Sequence, residues 1–205
     1  ISFLIGERSN FIKLLIMILL FTFLFEKRFL KFKIILFTSF FITMFLIIFN
    51  NAHYKERFIR QLIKPIITNN TFYFQNNNYV RHYSVALKVY DNNKIFGVGL
   101  KNYRIEVTKK TYKGLFASTH PHQLHFEVLA ELGFFGYLFF MAFFFYNFYK
   151  YFKNREFNNN LSLSGLLFVF TSLLPLLPSG SFFTSNAAAL FWMNFAIMNL
   201  SQKKL

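Results

Sequence analysis

Apolar and polar positions alternate along this chain on the scale of whole helices. From Ser9 to Phe25 it is apolar apart from Lys13, and further apolar runs cover about 34–49, 122–149, 161–177 and 182–200. A bilayer's hydrocarbon core asks for about 20 such residues in a helix. Five membrane spans are therefore expected. Between 51 and 121 the character changes: the stretch is polar, rich in Asn, Lys and Tyr, and holds no apolar run of spanning length. The pattern predicts an all-α polytopic membrane protein, with two transmembrane helices in 1–50, a large outer loop over 51–121 and three more helices in 122–205. Within the loop, Ser84-Val85-Ala86-Leu87-Lys88-Val89-Tyr90 reads as a short helix, although Val85, Leu87 and Val89 also alternate as a strand would. Pro175, Pro178 and Gly180 mark a tight turn between the last two spans.

Composition sharpens this picture. With 55% hydrophobic residues and 34 phenylalanines among 205, the composition argues against a soluble domain. Cysteine is absent, which removes disulfides, thiolate metal sites and a cysteine nucleophile. The chain opens at Ile1 with no secretory-signal pattern and is expected to lie within a longer protein. The net charge of +15 would point to nucleic acid in a soluble protein, but here the basic residues sit in blocks between apolar runs, so no nucleic-acid partner is expected. Lys27, Arg28, Lys31, Lys33, Lys150, Lys153, Arg155, Lys203 and Lys204 fall on one side of the predicted membrane topology, and the short turn at 178–181 on the other side has no Lys or Arg. The basic side is then cytoplasmic and the long loop faces outward. Between Asn51 and His122 there are 12 Lys or Arg against Glu56, Asp91 and Glu106, a net +9. That balance suits a polyanion, whether pyrophosphate, acidic sugar or anionic headgroup; equally, it suits a solvated basic loop.

The chemistry concentrates in Ser118-Thr119-His120-Pro121-His122-Gln123-Leu124-His125-Phe126-Glu127, running on to Glu131-Leu132-Gly133. Ser118 and Thr119 are N-cap types and Pro121 suits a first helical position, so a helix is expected from near residue 120. His122 would then lie in its first turn, at the water interface. Free backbone N–H groups there favour an anion and disfavour a protonated imidazole. The spacing H-x-H-x-x-H of His120, His122 and His125 resembles part of a zinc pattern. Leu124, however, takes the position where an aspartate would be needed, and no metal is expected. His125 reads as a helix-interface side chain, and His120 as a cap, a phosphate ligand or a residue with no particular role. Gln123, Glu127 and Glu131 at i, i+4 and i+8 form one polar stripe on an apolar helix and must face the protein or an aqueous cavity.

These residues carry a family resemblance. His120-Pro121-His122-Gln123, then Glu131-Leu132-Gly133 and Phe134-Phe135-Gly136, resembles the signature of the O-antigen ligase and O-antigen polymerase superfamily, with Gln123 standing where Asn is usual. Arg8 in Gly6-Glu7-Arg8-Ser9-Asn10, Arg81 in Arg81-His82-Tyr83-Ser84, Phe96-Gly97-Val98-Gly99 and the turn at Pro178-Ser179-Gly180-Ser181-Phe182-Phe183 are similar to further stretches of that family. The likeness extends over nearly the whole chain, as the C-terminal portion of a family member. It implies a bacterial inner-membrane glycosyltransferase, working on the periplasmic side without a cofactor. Such an enzyme moves a glycan from undecaprenyl pyrophosphate to an acceptor hydroxyl, such as that of a lipid A-core. His122 would be the catalytic base, Arg8 and Arg81 would hold the pyrophosphate, and His120, Gln123 and Glu127 would support them. Polymerase, protein transferase and, as a non-enzyme, a polysaccharide export subunit are the alternatives.

Overall fold

A computed structural model describes residues 8–24, 29–60, 78–109, 112, 115, 117–154, 160–175 and 177–200. Lys27, Arg28, Arg155, Lys203 and Lys204 of the topology argument, and Lys64, Lys110 and Lys113 of the loop, lie outside them, as do Gly6 and Glu7. Among the described residues every regular element is helical. The chain divides into two compact units, 1–74 and 75–205.

The first unit pairs α1 (Arg8–Leu24) with α2 (Leu30–Asn50). Phe23 stacks on Phe37 at 6.2 Å between ring centres, and the Lys33 ammonium donates to the Thr22 carbonyl at 3.0 Å. Helix α2 is apolar on every side, yet Ile48 is its single buried residue. A helix of that kind belongs in lipid or inside a larger bundle. Asn51 ends it and starts the next turn: its N–H donates to the Ile47 carbonyl, while its side chain accepts from the His53 N–H at 2.9 Å. A short α3 (Ala52–Tyr54) then runs into a π-helical turn, Lys55–Arg60, whose Phe58 meets Phe11 edge-on at 5.9 Å.

The second unit is built on α6 (Leu124–Asn154), against which α4 (Asn78–Asn92) and the short α5 (Tyr103–Glu106) pack. In α4 the buried residues His82, Val85, Ala86 and Val89 recur at i, i+3, i+4 and i+7. That helical stripe decides against the strand reading, because a strand would have put Leu87 on the same face as Val85, and Leu87 is exposed. Ala86, Val89, Tyr103, Tyr112 and Ala130 form the core beneath, with Val98, Val107, Leu115 and Phe126 packed around it.

Helices α7 (Asn160–Ser172) and α8 (Ser185–Met198) make an antiparallel pair. At Gly165 a side chain would come within 2.6 Å of backbone atoms of Asn194 and Met198, so glycine is what allows the close approach. Ser162 adds a buried bond to the Met198 carbonyl at 2.7 Å. Phe144 of α6 docks among Phe191, Trp192 and Phe195 of α8.

Helices α2 and α6 are long and apolar enough to cross a membrane; α1, α7 and α8 are apolar but shorter, with 17, 13 and 14 residues. The α7 helix stops at Ser172 rather than near 177, and α6 continues to Asn154 rather than ending at 149. Within α6, Gly133 has φ 68° and ψ −168°, which breaks the helix into two arms. The arm after the break, at 1.5 Å per residue, measures roughly 31 Å, about one hydrocarbon core. Glu127 and Glu131 both belong to the shorter arm before it.

Candidate functional site

The expected helix start is displaced. Helix α6 begins at Leu124, four residues after the position predicted from Ser118, Thr119 and Pro121. The reason is local: His122 takes φ 59°, in the left-handed region, and cannot continue a helix. Gln123 caps instead, its Oε1 accepting from the Phe126 N–H at 3.0 Å. His122 therefore stands just outside the helix rather than in its first turn.

Its surroundings are aromatic and basic. The His122 ring lies 4.1 Å from that of His120 and 4.8 Å from that of His82, with Tyr79 edge-on at 6.3 Å. Nε2 of His122 is 3.2 Å from the Ser118 hydroxyl, and Nδ1 of His120 is 3.2 Å from that of Thr119. Burial lowers the His122 pKa below the ordinary 6.5, since a charged ring loses hydration there. His120 is lowered too, by burial first and then by the neighbouring His122 and His82. Both shifts favour the neutral ring. His125 turns the other way, bonding Tyr137 Oη at 3.1 Å through Nδ1 and the Leu173 carbonyl at 2.9 Å through Nε2. It ties α6 to α7, and the H-x-H-x-x-H residues do not converge.

Gln123, Glu127 and Glu131 are all buried, as their common stripe requires. Glu127 accepts from the Ser181 hydroxyl and from the Phe182 N–H, the latter at 2.7 Å. The Ser179 N–H donates to the His122 carbonyl at 2.8 Å. Together these bonds fasten the α7–α8 turn onto the start of α6. Glu131 accepts from the Lys101 N–H at 2.7 Å.

The two glycine motifs meet at the break in α6. A continuous helix would bond Phe134 N–H to the Ala130 carbonyl and Phe135 N–H to that of Glu131. Here Val98 and Gly99 donate to those carbonyls at 3.0 and 2.8 Å, while Phe134 and Phe135 donate to Lys94 and Ile95 at 2.7 and 3.4 Å. All four orphaned groups are satisfied by one loop. Gly97 and Gly133, both at φ 68°, pass so closely that a Cβ on either would overlap the other segment's backbone. Gly97 at φ 68° and Gly99 at φ 91° let the loop turn sharply and fit into the break in the helix.

Beyond this junction opens a polar cavity of about 290 Å³, lined by Lys101, Arg104, Thr119, His120, Glu127, Glu131, Ser181, Phe183 and Thr184. His120 and Glu127 among the predicted site residues line it. His122 adjoins through its contact with His120, and half-buried Arg81 precedes His82 on α4. Arg8 opens α1, in the other unit. Sequence reasoning counted Lys101 and Arg104 only as loop charge and passed over His82 and Ser181. The adjacency of Lys101 to the Gly97/Gly99 motif, and of His82 to Arg81, was the available signal.

Two bilayer-length apolar helices, with a polar cavity beside the start of one of them, define a membrane-associated helical protein. The O-antigen ligase family model matches residues 1–141, and the chain belongs to that family, whose members are inner-membrane proteins of the ligase and polymerase type of glycosyltransferase. No curated protein and no solved structure matches the chain.

Proposed function

We propose that the protein transfers a glycan from undecaprenyl pyrophosphate to an acceptor hydroxyl on the periplasmic side of the inner membrane, as an O-antigen ligase acting on a lipid A-core. The observation that carries this reading is His122: an imidazole whose neutral form burial favours, fixed outside the start of the membrane-length helix and beside a cavity that Lys101 and Arg104 help to line. The acceptor oxygen attacks the anomeric carbon and forms the new glycosidic bond. The bond from that carbon to the diphosphate oxygen breaks, and its electron pair leaves with undecaprenyl pyrophosphate. His122 takes the proton lost by the acceptor hydroxyl, a role typically worth about 10² to 10⁴ in rate.

Arg8 and Arg81 hold the diphosphate in this scheme, their planar donor forks matching its oxygens and neutralising the charge that grows there, so that no divalent metal is required. His120, Gln123 and Glu127 support the site: Gln123 by capping α6, Glu127 by anchoring the Ser181 turn. An apolar groove of about 510 Å³ along α6, among Phe126, Tyr137, Phe144, Phe148, Phe170 and Leu173, suits a prenyl tail. The membrane arrangement that goes with this reading is two spans in 1–50, a periplasmic loop over 51–121 and three spans in 122–205.

The test is complementation of a ligase-deficient strain by the intact protein. His122→Ala should abolish glycan attachment while insertion is normal, and Arg81→Lys should be nearly as poor as Arg81→Ala because the fork is lost. Near-normal attachment by His122→Ala would remove the imidazole from the mechanism. If the strain regains longer glycan chains but no attachment to lipid A-core, the protein is the polymerase.

A further inference from the structure

We infer that Lys101 and Arg104 form a second cationic arm of the site and bind the diphosphate of the lipid-linked donor inside the 290 Å³ cavity; this rests on the glycosyl transfer proposed above.

Three observations converge on these two residues. First, among the described residues Lys101 and His122 are the two non-glycine positions with positive φ, at 60° and 59°. Such a conformation is strained and persists where its surroundings hold it. For Lys101 the holding contact is visible: its N–H is bonded to the buried Glu131 carboxylate, immediately after the loop has threaded the break in α6. The fold thus places this one loop residue against the cavity by means of a buried acid and a glycine junction.

Second, neither cation is held in an ion pair with a described residue, although both attract the Glu131 carboxylate electrostatically. Lys94 pairs with Asp91 and Lys109 with Glu106, but neither Lys101 nor Arg104 forms an ion pair with a described residue, and both side chains are exposed at the cavity wall. Glu106, the acid nearest to Arg104 along the chain, is already taken by Lys109. The cavity's own acids are occupied as well: Glu127 by Ser181 and Phe182, Glu131 by the Lys101 N–H. With the carboxylate oxygens bonded to those partners, the two cationic side chains remain available to donate to a ligand anion.

Third, size and donors select the ligand. At roughly 30 Å³ per water molecule, the space holds about ten heavy atoms. That is room enough for a diphosphate. Of the hydroxyls lining the same space, those of Ser181 and Thr184 already donate to Glu127 and to the Ser181 carbonyl, which leaves that of Thr119, beside His120, to meet a phosphate oxygen. His120 reaches the cavity from one side and touches the His122 ring on the other, so a diphosphate held there lies next to the proposed base.

The intact protein, purified in detergent, is assayed with donor and acceptor varied separately, as wild type and as Lys101→Ala, Arg104→Ala and the double variant. Lys88→Ala on the exposed side of α4 is the control. A charged hydrogen bond lost from each cation should raise the KM for the donor by roughly tenfold to a hundredfold, with the acceptor KM unchanged. Protection of the wild type against heat by inorganic pyrophosphate should disappear in the double variant. A donor KM within twofold of wild type in the double variant overturns the inference and leaves the proposed transfer standing, whereas a rise confined to the acceptor KM overturns it in favour of an acidic acceptor. Absence of transfer in the wild type defeats the function itself. Pyrophosphate protection then still reports on Lys101 and Arg104: kept by the double variant, it overturns their role; lost, it sustains an anion site without the reaction.

Discussion

Replacing Gly97 by alanine tests the junction that builds the cavity wall. The residue sits at φ 68°, and a Cβ there would overlap the backbone carbonyl of Glu131 and lie 2.6 Å from the Gly133 nitrogen. Left-handed backbone costs an L-residue about 1–2 kcal/mol, and forcing a methyl against atoms that cannot rotate away adds about 1–3. The loop could retreat instead. It would then give up the bonds of Val98, Gly99, Phe134 and Phe135, each worth about 0.5–1.5 kcal/mol net. Either route costs about 2–5 kcal/mol. At a few degrees per kcal/mol for a domain of this size, the midpoint of thermal unfolding should fall by roughly 5–15 °C. Gly180→Ala is the internal control, because a Cβ at that position meets nothing within 4 Å. Far-UV circular dichroism melts of the intact protein in one detergent read both variants. A Gly97→Ala midpoint equal to that of Gly180→Ala would show that loop 94–99 does not thread α6 as described.

Three further outcomes follow from the same geometry. Because burial lowers the His122 pKa from 6.5, its neutral form is complete above the lowered value and is lost as pH falls through it; the acid limb of kcat/KM should lie below pH 6.5, and a limb centred above 7 would refute the assignment. Glu127→Ala leaves the Ser181 hydroxyl and the buried Phe182 N–H without their acceptor, at about 1–3 kcal/mol, so hydrogen exchange at Phe182 should accelerate roughly tenfold to a hundredfold while α4 amides are unaffected; unchanged exchange would mean the turn does not need this carboxylate. His125→Phe removes the bridge to Tyr137 and Leu173 and should lower unfolding free energy by about 1–2 kcal/mol, with Tyr137→Phe costing less because the bond to the Leu173 carbonyl remains; an equal or larger loss in Tyr137→Phe would contradict the bridge.

Much of this architecture was legible along the chain. Long apolar runs leave little choice but helix, because a backbone in lipid must satisfy its own hydrogen bonds. The residues 30–50 and 124–154 show it plainly. The stripe of Gln123, Glu127 and Glu131 was readable for the same reason: polar groups eight residues apart on one helical face turn inward together. The single-residue cost of φ 59° at His122 was not readable, since the caps Ser118 and Thr119 and Pro121 all argued locally for an earlier start. What holds His122 there comes from elsewhere in the chain: Ser179 bonded to its carbonyl, and His82 beside its ring.

What the linear pattern determined by itself, then, was the kind of element, the face each helix buries and the residue types that carry charge, all of which follow from interactions within a few residues. Which distant segments meet was decided only in three dimensions. Nothing near Gly97 announces that its loop will supply the hydrogen bonds missing at Gly133, and nothing near Lys101 announces the acid thirty residues on that orients it. Those pairings each use at least one backbone group, which every residue carries alike, so their complementarity appears only once the helix has broken and the loop has closed on it.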